Sequence, residues 1–260
     1  MGLWVIVLLA SLLAADVLHV LYGWGRDEAS ARAAASSVGG LLLGLGLSQL
    51  FIALGLALAW GWYGAPGIAV FNGGRRDPRT LLGGTLLCLG LGPAARALAD
   101  AIARALHQQV TTSDLVVGAI GQATVSQLLL LTLALSVLPA FIEETLFRGA
   151  IQLGFERSPL WHKVVIPAVL FGVFHLDPSQ GAGTALLGLG FGATRLLAGG
   201  LWAPILAHAA NNALMVVGAR FDSTPATAQG PGPWVILGGL LLCGLGFALL
   251  RASQRAEERG

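Results

Sequence analysis

The stretch Phe141-Ile142-Glu143-Glu144-Thr145-Leu146-Phe147-Arg148 sets two adjacent carboxylates and a guanidinium in otherwise apolar surroundings. On an α-helical wheel Arg148 falls about 40° from Glu144 and about 140° from Glu143. Glu144 and Arg148 are therefore expected to pair as an i,i+4 salt bridge, leaving Glu143 without an intrahelical partner and free for chemistry. Two further pairs follow four residues apart, each on one helix face, Phe171 with His175 and His208 with Asn212. A carboxylate, two imidazoles and a carboxamide suit hydrolysis of an acyl bond. A carboxylate can take a proton from water, a histidine can hold that water, and histidine plus asparagine can donate to a developing oxyanion. No serine is placed as a nucleophile and no aspartates are paired. Glu143, His175 and His208 would also make a two-His-one-Glu zinc set with a position open for water, although no His-Glu-x-x-His pattern is present.

The elements that must carry these residues are membrane helices. Only 11% of the 260 residues are charged and 55% are hydrophobic, with mean hydropathy +0.77 and a single lysine, Lys163. An ordinary soluble domain has about 25% charged residues. Between Arg32 and Arg75 lie 42 residues without an Asp, Glu, Lys or Arg, and Leu115 to Ile142 is a second clean run of 28. Spanning helices need about 20 apolar residues. The expected fold is all-α, a polytopic bundle of about eight transmembrane helices forming one integral membrane domain over residues 1–260. The spans are placed near Leu3–Tyr22, Val38–Trp62, Thr80–Leu98, Gln122–Phe147, Val164–Leu176, Thr184–Leu197, Trp202–Val217 and Trp234–Leu250. In the third, Pro93 and the charges Arg96, Asp100 and Arg104 leave an interfacial helix over Ala94–Leu106 as the competing reading. Trp4 and Trp24 would anchor the first span at the interfaces.

With eight spans, one side receives Arg75, Arg76, Arg79, Arg157, Lys163, Arg195, Arg251, Arg255 and Arg259, and the other Arg26, Arg32, Arg104 and Arg220. The positive-inside rule then puts both termini in the cytoplasm. At 1.5 Å per residue, Glu143 lies roughly 21 Å from Arg157 and His175 roughly 18 Å from Lys163. Counted from Gly199, His208 and Asn212 come out at about 13 and 20 Å. Four polar groups on three helices converge on one layer, where an ionisable side chain needs a reason. Gly40 with Gly44 and Gly188 with Gly192 have the spacing that lets helices approach closely. Cys88 and Cys243 sit in apolar runs and read as small packed residues. Asp222 to Pro233 reads as an external loop.

At the same residues the sequence resembles a known family. Glu143-Glu144-Thr145-Leu146-Phe147-Arg148 matches Glu-Glu-x-x-x-Arg, Phe171-Gly172-Val173-Phe174-His175 matches Phe-x-x-x-His, and His208-Ala209-Ala210-Asn211-Asn212 resembles His-x-x-x-Asn. Together, in this order, they characterise the CPBP intramembrane proteases, the family of the type II CAAX prenyl endopeptidases and bacteriocin-processing enzymes. The resemblance covers about Val137 to Leu214, within an expected protease core of about 122–217. It implies a glutamate-dependent intramembrane endopeptidase without a metal or other cofactor. Glu143 would be the general base, His175 would position the water, His208 and Asn212 would form the oxyanion hole, and Glu144 and Arg148 would hold the site together. It also implies a membrane-associated protein or peptide substrate and a bacterial inner (cytoplasmic) membrane location. Prenyl specificity does not follow, since a bacterial host need not contain prenylated CAAX proteins.

Three other readings stand beside this one. One is the zinc-dependent hydrolase above, and another is a non-catalytic membrane scaffold or immunity factor of the same fold. The third is a small transporter with Asp16 and His19 as a proton relay, a pair that also reads as internal helix packing. A net charge of +2 without basic blocks interleaved with aromatics excludes nucleic acid as the expected partner.

Overall fold

The computed structural model describes residues 27, 30, 33–34, 36–63, 70–108, 112–221 and 230–258. The first expected span, with Asp16, His19, Trp4 and Trp24, and most of the Asp222–Pro233 loop lie outside the described residues. Among those described, the chain is all-helical. The helices are α1 (Val38–Tyr63), α2 (Pro78–Ala105), α3 (Thr112–Gln122), α4 (Val125–Gly154), α5 (Leu160–Val173), α6 (Pro178–Ala198), α7 (Trp202–Phe221) and α8 (Pro233–Glu257).

Four of these, at Val38–Leu58, Pro78–Ala105, Val125–Gly154 and Pro233–Glu257, are long and apolar enough to cross a membrane. Three further expected spans fall on α5, α6 and α7. The first is only 14 residues long, the second is rich in glycine and the third carries His208 and two asparagines. Around the third expected span the structure gives one continuous helix rather than a separate interfacial segment. It runs through Pro93, and Arg96 Nε pairs with the buried Asp100 one turn on at 2.7 Å. The sixth expected span begins late: α6 starts at Pro178, where Asp177 caps it by accepting from the N–H groups of Ser179 and Gln180. A glycine-rich first turn carries little hydropathy and so is invisible to a hydropathy reading.

The helix starts are written locally. Pro78, Pro178 and Pro233 stand in the first turns of their helices, where a missing N–H costs nothing. Thr124 and Gln127 form a reciprocal capping box at the start of α4. Asp77 caps α2, and its carboxylate also meets the hydroxyls of Thr80 and Ser253 at 2.6 and 2.9 Å. Burial alone would raise the Asp77 carboxyl, but these hydroxyls and the N–H groups of Thr80 and Arg79 outweigh it and hold it below its ordinary value.

Helix α2 packs against α6, α7 and α8, while α5 lies on α6 and α4 lies between α1 and α7. Close approach needs glycine at the crossings. A Cβ on Gly83 would lie 2.9 Å from the Gly246 carbonyl of α8, and one on Gly188 would lie 3.0 Å from Ala168 Cα of α5. The expected packing role of Gly188 and Gly192 is met on this α5–α6 face. Ion pairing and hydrogen bonding tie the ends. At one end Arg75 meets Glu257 and the Arg75 N–H donates to the Ala198 carbonyl; at the other Arg220 donates to the Gly121 carbonyl. The central core gathers Ile52, Leu87, Cys88, Phe147, Phe171 and Phe191. Cys88 is a buried free thiol within it and Cys243 is free and half-buried.

Candidate active site

Helix α4 changes its winding twice around the two glutamates. Leu133–Val137 and Thr145–Ile151 are π-helical, and the α-helical turn Leu138–Glu144 between them carries both carboxylates. Such widened turns recur at functional sites because they leave backbone groups out of the regular ladder. The first has a covalent cause. Pro139 has no N–H to give the Leu135 carbonyl one turn earlier, and Asn212 Nδ2 from α7 donates to that carbonyl instead, at 3.0 Å. The residue expected to serve an oxyanion thus also holds the bend that presents Glu143.

Despite the wider turn, the expected ion pair forms. Arg148 Nη1 donates to Glu144 Oε1 at 2.9 Å, and both side chains are 0% exposed. Arg148 Nη2 donates to the Gly188 carbonyl of α6 at 2.9 Å, and the guanidinium lies 4.8 and 5.3 Å from the ring centres of Phe171 and Phe191. Aromatic faces on a desolvated guanidinium are worth about 2 kcal/mol. A lysine ammonium could not reproduce this planar fit, which is an arginine property.

Glu144 Oε1 also accepts from His208 Nδ1 at 2.9 Å. The carboxylate therefore fixes His208 with its proton on Nδ1 and turns Nε2 away from the ion pair. A neutral ring in this tautomer presents an Nε2 lone pair, and an imidazolium presents an Nε2 donor. Phe191 stacks on the His208 ring at 4.8 Å, and Phe171 meets it edge-on at 5.7 Å. The same Phe171 ring meets His175 edge-on at 5.1 Å, so one aromatic side chain separates the two imidazoles. His175 lies beyond the last turn of α5, which ends at Val173, and its Nδ1 donates to the Phe171 carbonyl at 2.8 Å. The chain then turns through Leu176 at φ 55° into the Asp177 cap of α6. With Nδ1 committed to a carbonyl, His175 also presents Nε2 as an acceptor.

Glu143 is buried, and among the described residues its one hydrogen bond comes from a side chain outside the sequence motifs. Gln49 Nε2 on α1 donates to Glu143 Oε1 at 2.8 Å. Only its being an isolated amide in a 42-residue uncharged run could have drawn attention to it. Among the described residues no hydrogen bond joins Glu143 to His175, His208 or Asn212. The structure thus brings Glu144, Arg148 and His208 into direct contact, links His175 to them through Phe171, and ties Glu143 and Asn212 to neighbouring helices. Among the described residues no three His, Cys, Asp or Glu side chains are grouped as a metal would require, so Glu143, His175 and His208 are not assembled as zinc ligands.

No curated protein and no solved structure matches the chain. The model of one family does, over residues 125–214, a stretch that holds every residue of this site except Gln49. Through that stretch, the chain is similar to the type II CAAX prenyl endopeptidase Rce1-like family, and its long apolar helices make it an integral membrane protein.

Proposed function

We propose that the protein is an intramembrane endopeptidase that hydrolyses a peptide bond of a membrane-associated protein or peptide, with Glu143 as the general base for water. The observation that carries the reading is the unequal treatment of adjacent carboxylates: among the described residues Glu144 is ion-paired with Arg148 and bonded to His208, while Glu143 has no ion pair and accepts from the neutral amide of Gln49. Glu143 withdraws the proton from a water that His175 Nε2 orients, and the resulting hydroxide attacks the scissile carbonyl. The oxyanion is met by His208 and Asn212. For His208 this requires the imidazolium, since Nδ1–H is held by Glu144, the carboxylate that it shares with Arg148. Asn212 has two amide hydrogens, one for the Leu135 carbonyl and one for the oxyanion. The proton taken by Glu143 then passes to the leaving amine. Glu144 and Arg148 act by holding His208.

In this reading the whole chain is one integral domain of eight spans with both termini in the cytoplasm, in the inner membrane of a bacterium. Direct evidence comes from the purified protein, a panel of membrane-tethered peptides, and the variants Glu143→Ala and His175→Ala. Both should lose cleavage, and retained cleavage in Glu143→Ala refutes the mechanism. A chelator arm tests zinc dependence: activity lost to chelation and restored by zinc overturns the metal-free mechanism. Complementation of a deletion strain by Glu143→Gln at wild-type level would identify a scaffold instead.

A further inference from the structure

The amide of Gln49 has no packing reason to be where it is. It sits on α1, 94 residues before its partner and outside the matched segment, in a helix whose other buried side chains are apolar. The side chain is 4% exposed, and among the described residues its buried Oε1 has no hydrogen-bond partner. A leucine or methionine would fill the same space without burying an unpaired carbonyl, which is costly in an apolar interior. What the amide gains in return is one bond, Nε2 to Glu143 Oε1 at 2.8 Å. Helix α1 packs on the turn Leu138–Glu144, so the donor is delivered by a rigid element, as preorganised sites require.

We propose that Gln49 is a positioning residue for Glu143. By donating to Oε1 it fixes the rotamer of the carboxylate, so that Oε2 is the oxygen that takes the proton from water. The bond cannot be replaced from within α4, because Glu144 and Arg148 are engaged with each other and with His208 and Gly188. This assignment rests on the endopeptidase reading of Glu143.

The test compares Gln49→Met, which keeps the volume and removes the donor, with Gln49→Glu, which keeps the shape and puts an acceptor against the carboxylate. Loss of a hydrogen bond to a charged group that acts in the transition state predicts a fall in kcat of roughly 10- to 100-fold for Gln49→Met. KM should stay within about twofold and the thermal midpoint in detergent should not fall, because uniform binding and packing are untouched. Gln49→Glu should be the less active of the two. A purely structural glutamine predicts the reverse, with Gln49→Met active and any loss tracking the thermal midpoint. Kcat within about twofold of wild type in Gln49→Met overturns the proposal. A second readout does not depend on cleavage: the carboxylate band in the infrared difference between wild type and Glu143→Gln should shift in Gln49→Met. A wild type that cleaves nothing while this band shifts refutes the endopeptidase reading and upholds the pairing; an unshifted band overturns the pairing.

Discussion

Arg148→Met isolates the energetics of the buried triad. The substitution removes the guanidinium from a position that is 0% exposed, leaves Glu144 with His208 as its partner among the described residues, strips the donor from the Gly188 carbonyl and takes the cation from between Phe171 and Phe191. Breaking a buried pair from one side costs about 3–5 kcal/mol, because the abandoned charge stays desolvated. Methionine retains much of the stem, so the cavity contribution is small and the electrostatic cost dominates. Glu144→Gln keeps an acceptor for both Arg148 and His208 and should fall at the lower end of the same range, about 3 kcal/mol. The double variant carries no ion pair to break, so its loss should be well short of the sum, with a coupling of about 2–3 kcal/mol. Unfolding in mixed micelles followed by tryptophan fluorescence measures all three. Single losses below about 1 kcal/mol, or losses that add to within about 0.5 kcal/mol, would show that Glu144 and Arg148 are not a desolvated pair.

Asn212→Leu should destabilise the protein by about 1–2 kcal/mol by leaving the Leu135 carbonyl unpaired, and Pro139→Ala, which restores an N–H one turn after that carbonyl, should recover part of the stability without recovering cleavage; equal recovery of both would assign Asn212 a structural role alone. Asp77→Ala should cost about 0.5–2 kcal/mol at neutral pH, the usual value of an N-cap. Because the folded Asp77 carboxyl lies below its ordinary value of about 3.9, its contribution is present above that pH and is lost as pH falls through the lower folded value. Thermal scans from pH 7 downward should therefore show the wild type and Asp77→Ala curves converging at acid pH, and a constant gap would contradict this. Gly188→Ala puts a methyl 3.0 Å from Ala168 Cα and 3.3 Å from Arg148 Nη2, so overpacking of about 1–3 kcal/mol with reduced cleavage is expected, read by the same unfolding and peptide assays.

Much of the bundle was legible because lipid enforces long uncharged runs. The helices α1, α4 and α8 follow directly from them. The weaker spans were blurred for identifiable reasons. The start of α6 is a capped glycine-rich turn, and the end of α5 loses its last turn to the reversal at Leu176 and Asp177. Along α2, two of the charges that suggested a separate interfacial segment, Arg96 and Asp100, instead pair with each other within one continuous helix. The ion pair of Glu144 with Arg148 was legible from spacing alone, since i,i+4 neighbours meet on one face even in a widened turn. The partner of Glu143 was not, because a hydrogen bond across 94 residues leaves no periodicity to read.

The sequence by itself determined that the chain is a membrane bundle, which few polar side chains it carries inside, and which two of them pair within one helix. These follow from transfer energies and helical geometry, which act over a few residues at a time. Only the tertiary structure decided that His208 shares the Glu144 carboxylate, that Asn212 fills the donor missing at Pro139, and that Gln49 holds Glu143. Each is a contact between different helices. In a bilayer such contacts are selected by close packing and by the cost of an unpaired polar group, and neither is written in the local order of residues.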